Sequence, residues 1–271
     1  MNKTSEFMTY LQWFEAYVQR FAQKDPEDQQ NIDIKREHSL RVLKEAQGIT
    51  ASLDLNEPFP FMAHLAALFH DVGRFPQYEK HRTFNDKLSA NHGRLSFRAL
   101  KEEGVLNDLP KEQRRIILLA VLLHNRREVS ERLSDDLKVV LQIVRDADKL
   151  DIFSVMLKHL DPQATQNKVV TLGLKYDPQK ISPVIYEQVK NRGLAHYEDM
   201  VWVNDFKLLL CSWVYGLNFE YSRQALWQRG YLQRLFSYLP ETEEIAELSR
   251  QVQADLLQNK SQESLSAAFR H

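Results

Sequence analysis

Residues 61–71 read FMAHLAALFHD, an almost wholly apolar run that ends on the dipeptide His70-Asp71. The run is far shorter than the ~20 apolar residues of a membrane span, yet too apolar to line a surface. It predicts a short helix buried on all sides, preceded by Pro58 and Pro60 and stopped at Gly73. His70 and Asp71 then sit at the C-terminal end of a core helix, where they can be held rigidly. A carboxylate in such a place must neutralise or find a cation, because an unpaired buried charge is costly.

The rest of the chain must supply what surrounds that helix. With eight glycines in 271 residues and few alternating β-branched runs, the expected fold is all-α throughout. Phe7, Leu11, Phe14, Val18 and Phe21 mark an amphipathic helix over residues 5–22. The stretch DPEDQQN reads as a break, and a second helix is expected from about Ile34 to Gln47, ending at Gly48. HGRLSFRALKEEG and KEQRRIILLAVLLHN supply two more, and a long helix runs from about Asp135 to His159. Residues 161–182, with Pro162, Pro178, Gly173 and a β-like VVTL stretch, read as a surface connection, a lid being the alternative. The remainder is aromatic-rich and helical, up to the charged segment ETEEIAELSRQVQADLLQ. The expected organisation is an N-terminal helix (1–30) packed on a core (31–160), the connection (161–182), and a C-terminal helical region (183–271) belonging to the same domain.

Composition narrows the function. A formal net charge of −1 argues against nonspecific nucleic-acid binding through bulk charge. The single cysteine, Cys211, excludes an internal disulfide and any multi-cysteine metal site, and in LLLCSWVYG it reads as a small core residue. Glu6, Glu15 and Arg20 interrupt the N-terminal segment, so it lacks the apolar core of a signal peptide. A cytoplasmic protein with no membrane association is the expectation.

His38, His70-Asp71, His92, His124 and an acid from RDADKLD follow one another in or beside predicted helices. Histidine with carboxylate suits divalent transition metals. The ordered series resembles the HD superfamily of metal-dependent phosphohydrolases, with its pattern H…HD…D and two further histidines in the two-metal branch. The resemblance spans roughly residues 34–155 and implies an HD-type helical bundle. It carries His38, His70, Asp71, His92, His124 and Asp148 as metal ligands, with His92 and His124 in the places of the two-metal branch. RDADKLD also offers Asp146 and Asp151; the family's A-D element points to Asp148. On a helix Asp151 shares its face, whereas Asp146 lies about 200° away. Asp151 then reads as a partner that orients a ligand or a basic residue. His64, His81, His159, His196 and His271 fit no position in the pattern and read as structural or exposed.

Basic residues follow the ligands: Arg74, Arg94, Arg126, Arg127 and Lys149. Arginine's fork matches phosphate oxygens, so an anionic substrate is expected. The resemblance implies two divalent ions (iron, manganese or nickel, with magnesium or zinc as alternatives) bridged by Asp71. It implies attack on phosphorus by a metal-activated hydroxide, with Arg74 and Lys149 offsetting charge and Arg126 joining Arg74 and Lys149 in substrate binding. The substrate class is a nucleotide or another small phosphorylated metabolite. His124 is followed by NRREVS, not by the glycine-tyrosine-proline segment of cyclic-di-GMP phosphodiesterases. The same ligand set occurs in HD-fold di-iron oxygenases, and a non-catalytic nucleotide-binding protein is a further alternative. Trp202, Trp213, Tyr215, Trp227 and Tyr231 could stack a base, but at helical spacing they read as core.

Overall fold

A computed structural model describes residues 3–161 and 171–258 of the chain. Among them are twelve α-helices and no strand, only one isolated parallel bridge between Lys175 and Trp202. The chain divides into two compact units, Met1–Asp151 and Ile152–His271. The division falls inside a helix rather than at the 161–182 connection. Residues 162–170, which include Pro162 and half of the β-like stretch, lie outside the described residues.

The first unit is built around α3 (Phe59–Phe69), whose Ala63 and Leu65 to Phe69 are fully buried. Helices α1 (Lys3–Gln19), α2 (Pro26–Ala51) and α6 (Lys111–Leu123) pack on it. Phe14, Tyr17 and Phe21 meet Phe75 of α4 (Arg74–His81) edge-on or stacked, tying the N-terminal helix to the core. Helix α5 (His92–Glu103) lies against α4 and α6, and α7 (Asp135–His159) completes the unit.

Two expectations about helix bounds are corrected. DPEDQQN is not a break but the start of α2: Asp25 accepts from the backbone N–H of Glu27 and Asp28, and Pro26 takes the first turn, where its missing N–H costs nothing. The helix also runs through Gly48 to Ala51, since one glycine costs only about 1 kcal/mol in a helix whose face is packed. Helix α4, directly after Gly73, was not expected. Its Pro76 lies in the first turn, which tolerates proline.

The second unit contains α8 (Pro183–Lys190), α9 (Val203–Ser212), α10 (Glu220–Gln228), α11 (Tyr231–Ser237) and α12 (Glu243–Gln258). Buried Asp205 accepts from Ser182 N and Oγ and from Val201 N and Trp202 N, at 2.7–2.8 Å, so it fixes the entries to α8 and α9. Trp213 and Tyr231 pack on Phe153, as core aromatics do, whereas Trp227 is exposed. Cys211 is buried and desolvation pushes its thiol up, which leaves it inert. No helix among the described residues is long and apolar enough to cross a membrane.

Candidate metal centre

Five helices of the first unit converge on one point. His70 ends α3 and His124 ends α6, and each imidazole Nδ1 donates to the carbonyl three residues back, Ala67 and Val121, at 2.7 Å. The two helix ends are local copies of one device: the last turn's free carbonyl holds the ring. His92 opens α5, capped by Asn91, and His38 lies in the middle of α2. Their Nδ1 atoms sit 2.7 Å from carboxylates, Asp86 Oδ2 for His92 and Asp151 Oδ2 for His38. A carboxylate only accepts, so each of these nitrogens carries the proton. All four rings therefore present Nε2 to the centre.

The donor atoms can be sorted into two adjoining groups that share Asp71, although His70, His124 and Asp148 also lie close enough together to form a set across them. On one side lie His38 Nε2, His70 Nε2, Asp71 Oδ2 and Asp148 Oδ1: His38 is 3.2 Å from both His70 and Asp148, and Asp71 is 3.7 Å from both histidines. On the other lie His92 Nε2, His124 Nε2 and Asp71 Oδ1, with separations of 3.1, 3.6 and 3.9 Å. Donors held ~2.1 Å from a common ion stand roughly 3.0–3.4 Å apart; the His38–His70, His38–Asp148 and His92–His124 spacings fall in that range, and those from Asp71 to the four histidines are longer. One oxygen of Asp71 belongs to each group.

The electrostatics ask for cations. Burial pushes His92 and His124 down to about 4, so both are neutral at pH 7 and their Nε2 lone pairs face each other. His70 is lowered by burial too. His38 moves the other way: burial and Lys35 lower it, but the neighbouring carboxylates of Asp148 and Asp151 carry it above its usual value. A proton at its Nε2 would stand where an ion would stand. Burial alone would raise Asp71, yet Lys35, His70 and Arg74 hold it well below the carboxylate range. Asp71 Oδ1 and Asp148 Oδ1 are buried without a hydrogen-bond partner. Orphaned carboxylate oxygens facing imidazole lone pairs fit divalent metal, and those residues are the ones that would hold it.

The other expected residues fall as follows. Asp146 is fully buried but outside both groups. Asp151 binds His38 and also accepts from Arg41 at 2.6 Å, the orienting part expected of it. Arg74 donates from Nη1 to Gln77, Phe84 O and Asp86, while its Nε faces Asp71 Oδ1 at 3.4 Å. Lys149 follows Asp148 on α7, and burial pushes its amine down to about 8. Arg126 is half-buried just beyond the end of α6, whereas Arg94 and Arg127 are exposed. His64 bonds Thr50 on the far side of α3, as a structural histidine would.

Three participants escaped the sequence reading. Asp86 anchors His92 from the loop between α4 and α5; Arg41 anchors Asp151; and Lys35 places its Nζ 2.9 Å from Asp71 Oδ2. None carries a sequence signal that separates it from an ordinary surface charge.

Comparison with known proteins agrees with this geometry. Residues 36–152 match the family model described as the HD domain. No curated protein and no solved structure matches the chain. The matched span holds every residue of the two donor groups, and HD domains typically belong to metal-dependent hydrolases. Residues 36–152 of this protein are an HD domain.

Proposed function

We propose that the protein is a phosphohydrolase that uses two divalent ions to cleave a phosphate ester of a nucleotide or another small phosphorylated metabolite. The observation that carries this reading is the division of Asp71 between the two donor groups, one oxygen to each. Two ions bridged by one carboxylate would supply Lewis acidity, ionising water near neutral pH and offsetting phosphate charge. In this reading His38, His70, Asp71 and Asp148 hold one ion, and Asp71, His92 and His124 hold the other. Iron and nickel suit the imidazole donors and manganese the carboxylates; zinc matches the imidazoles as well, and magnesium is the poorer fit.

The chain's own part is to aim the donors and to bring positive charge. The Nδ1 bonds fix each ring, so no donor must reorganise when an ion enters. Arg74 sets its Nε beside Asp71, Arg126 lies just beyond the end of α6, and Lys149 follows Asp148 within α7. An arriving phosphate would meet charge that is already in place.

Metal-reconstituted protein is expected to hydrolyse a generic phosphate ester, to lose turnover to a chelator and to regain it on adding divalent metal. Asp71→Ala should abolish turnover. A screen of nucleoside phosphates, cyclic nucleotides and sugar phosphates then narrows the substrate. Oxygen uptake with an organic substrate, and no phosphatase activity with any metal, would contradict the proposal.

A further inference from the structure

Lys35 occupies an unusual place among the cations at the centre. It lies one turn before His38 on α2, with Nζ 2.9 Å from Asp71 Oδ2 and 5.3 Å from the centre of the Phe84 ring. Arg74 sits over the same ring at 5.8 Å, so Phe84 seats one cation beside each oxygen of Asp71. The two cations differ in what else holds them. Arg74 gives its charge to Asp86 at 2.9 Å, as Arg41 gives its own to Asp151 at 2.6 Å. The anionic partner of Lys35 is Asp71 itself.

That difference matters once ions claim Asp71. The carboxylate's charge is then neutralised, and the ammonium of Lys35 loses its counter-charge while staying in place. The side chains of Lys35 and Asp148 are 17% and 20% exposed, against 4% for His38, 0% for His70 and 3% for Asp71. The open side of the His38–His70 group therefore runs past Lys35. An anion entering there meets a compact charge with three rotatable donors on a flexible stem.

We propose that Lys35 contacts the substrate, its ammonium moving from Asp71 to an oxygen of the phosphate that binds beside the ions. Lys35 is then a catalytic residue of the centre, one that binds and offsets the charge of the phosphoryl group. This inference rests on the phosphohydrolase reading above. It also separates Lys35 from a residue that merely holds Asp71 in position: removing a positioning residue weakens metal binding, whereas removing a substrate contact does not.

The test uses the full chain reconstituted with manganese and three substitutions, Lys35→Met, Lys35→Gln and Lys35→Arg. Inorganic phosphate binding is measured by calorimetry, metal content by elemental analysis, and turnover on the best ester found in the screen. Wild type is expected to bind phosphate. Lys35→Met and Lys35→Gln should bind it 10–100-fold more weakly, the order of loss for one hydrogen bond to a charged group. Both variants should keep the wild-type metal content and melting temperature, and Lys35→Arg should recover most of the phosphate affinity. Unchanged phosphate affinity in Lys35→Met and Lys35→Gln would overturn the inference while leaving the hydrolase reading intact. Metal loss in step with the loss of phosphate binding would overturn it in favour of a positioning role. A wild-type protein that binds no phosphate and cleaves no ester would overturn both.

Discussion

The Asp86 carboxylate holds His92 twice, through the backbone N–H at 3.2 Å and Nδ1 at 2.7 Å, and is itself held by Arg74 and Gln77. Asp151 holds His38 once, through Nδ1 at 2.7 Å, with Arg41 behind it. Each donor group thus contains one histidine fixed by a helix-end carbonyl and one fixed by a carboxylate that an arginine anchors. Such outer partners typically carry a 10–100-fold effect on metal affinity. On the two-ion proposal, Asp86→Asn should therefore weaken the ion that His92 and His124 would hold by roughly that factor, and Asp151→Asn the one that His38 and His70 would hold, each leaving the other in place. Calorimetric metal titration of the two variants reads this directly. Equal weakening of both ions by either substitution would mean that the carboxylates act on the fold as a whole. The residue scale is also where the sequence was least legible. His70-Asp71 stood out because two polar residues ended an apolar run, and the other ligands because they came in order. Asp86, Arg41 and Lys35 act through contacts that close only in space, and in the sequence they look like any solvated charge.

Helices deliver the ligands, and one close approach sets where the second histidine pair lies. At Gly73, just after the His-Asp turn, an added Cβ would stand 2.3 Å from Ser96 N and 2.6 Å from Leu95 C, both backbone atoms of α5. The Gly73 N–H donates to Ser96 Oγ at 2.9 Å, so the turn and α5 are locked face to face. The backbone angle at Gly73 is ordinary (φ −70°); space is what requires glycine there. Gly73→Ala must push α5 away, and with it His92 at the helix start. We expect destabilisation of about 1–3 kcal/mol or more, measured by denaturant unfolding, together with loss of the ion held by His92 and His124. A variant with unchanged stability and full metal content would show that α5 is not positioned by this contact. The elements themselves were mostly legible. Helix α3 declared itself by composition, and α5, α6 and α7 lie where their segments were read. The beginning of α2, at Pro26, was missed because DPEDQQN read as a break, and α4, which holds Pro76, was not assigned. Both prolines lie in first turns, where proline has no backbone bond to lose.

At the scale of the molecule, the all-α architecture followed from few glycines and helical periodicity, while the division at Asp151 was not legible. It falls within α7, an unbroken helix that supplies Asp148 and Asp151 to the first unit and Phe153 to the core of the second. A helix that continues through a boundary carries no local signal of it. The first unit by itself contains both donor groups, their orienting partners and the cations around them. The central proposal is that this unit would hold two ions with Asp71 shared between them, and elemental analysis of the reconstituted chain tests it most directly. Wild type should carry two transition-metal ions per chain, and His92→Ala one, with the helical content unchanged by circular dichroism. One ion or none in fully reconstituted wild type would contradict the account.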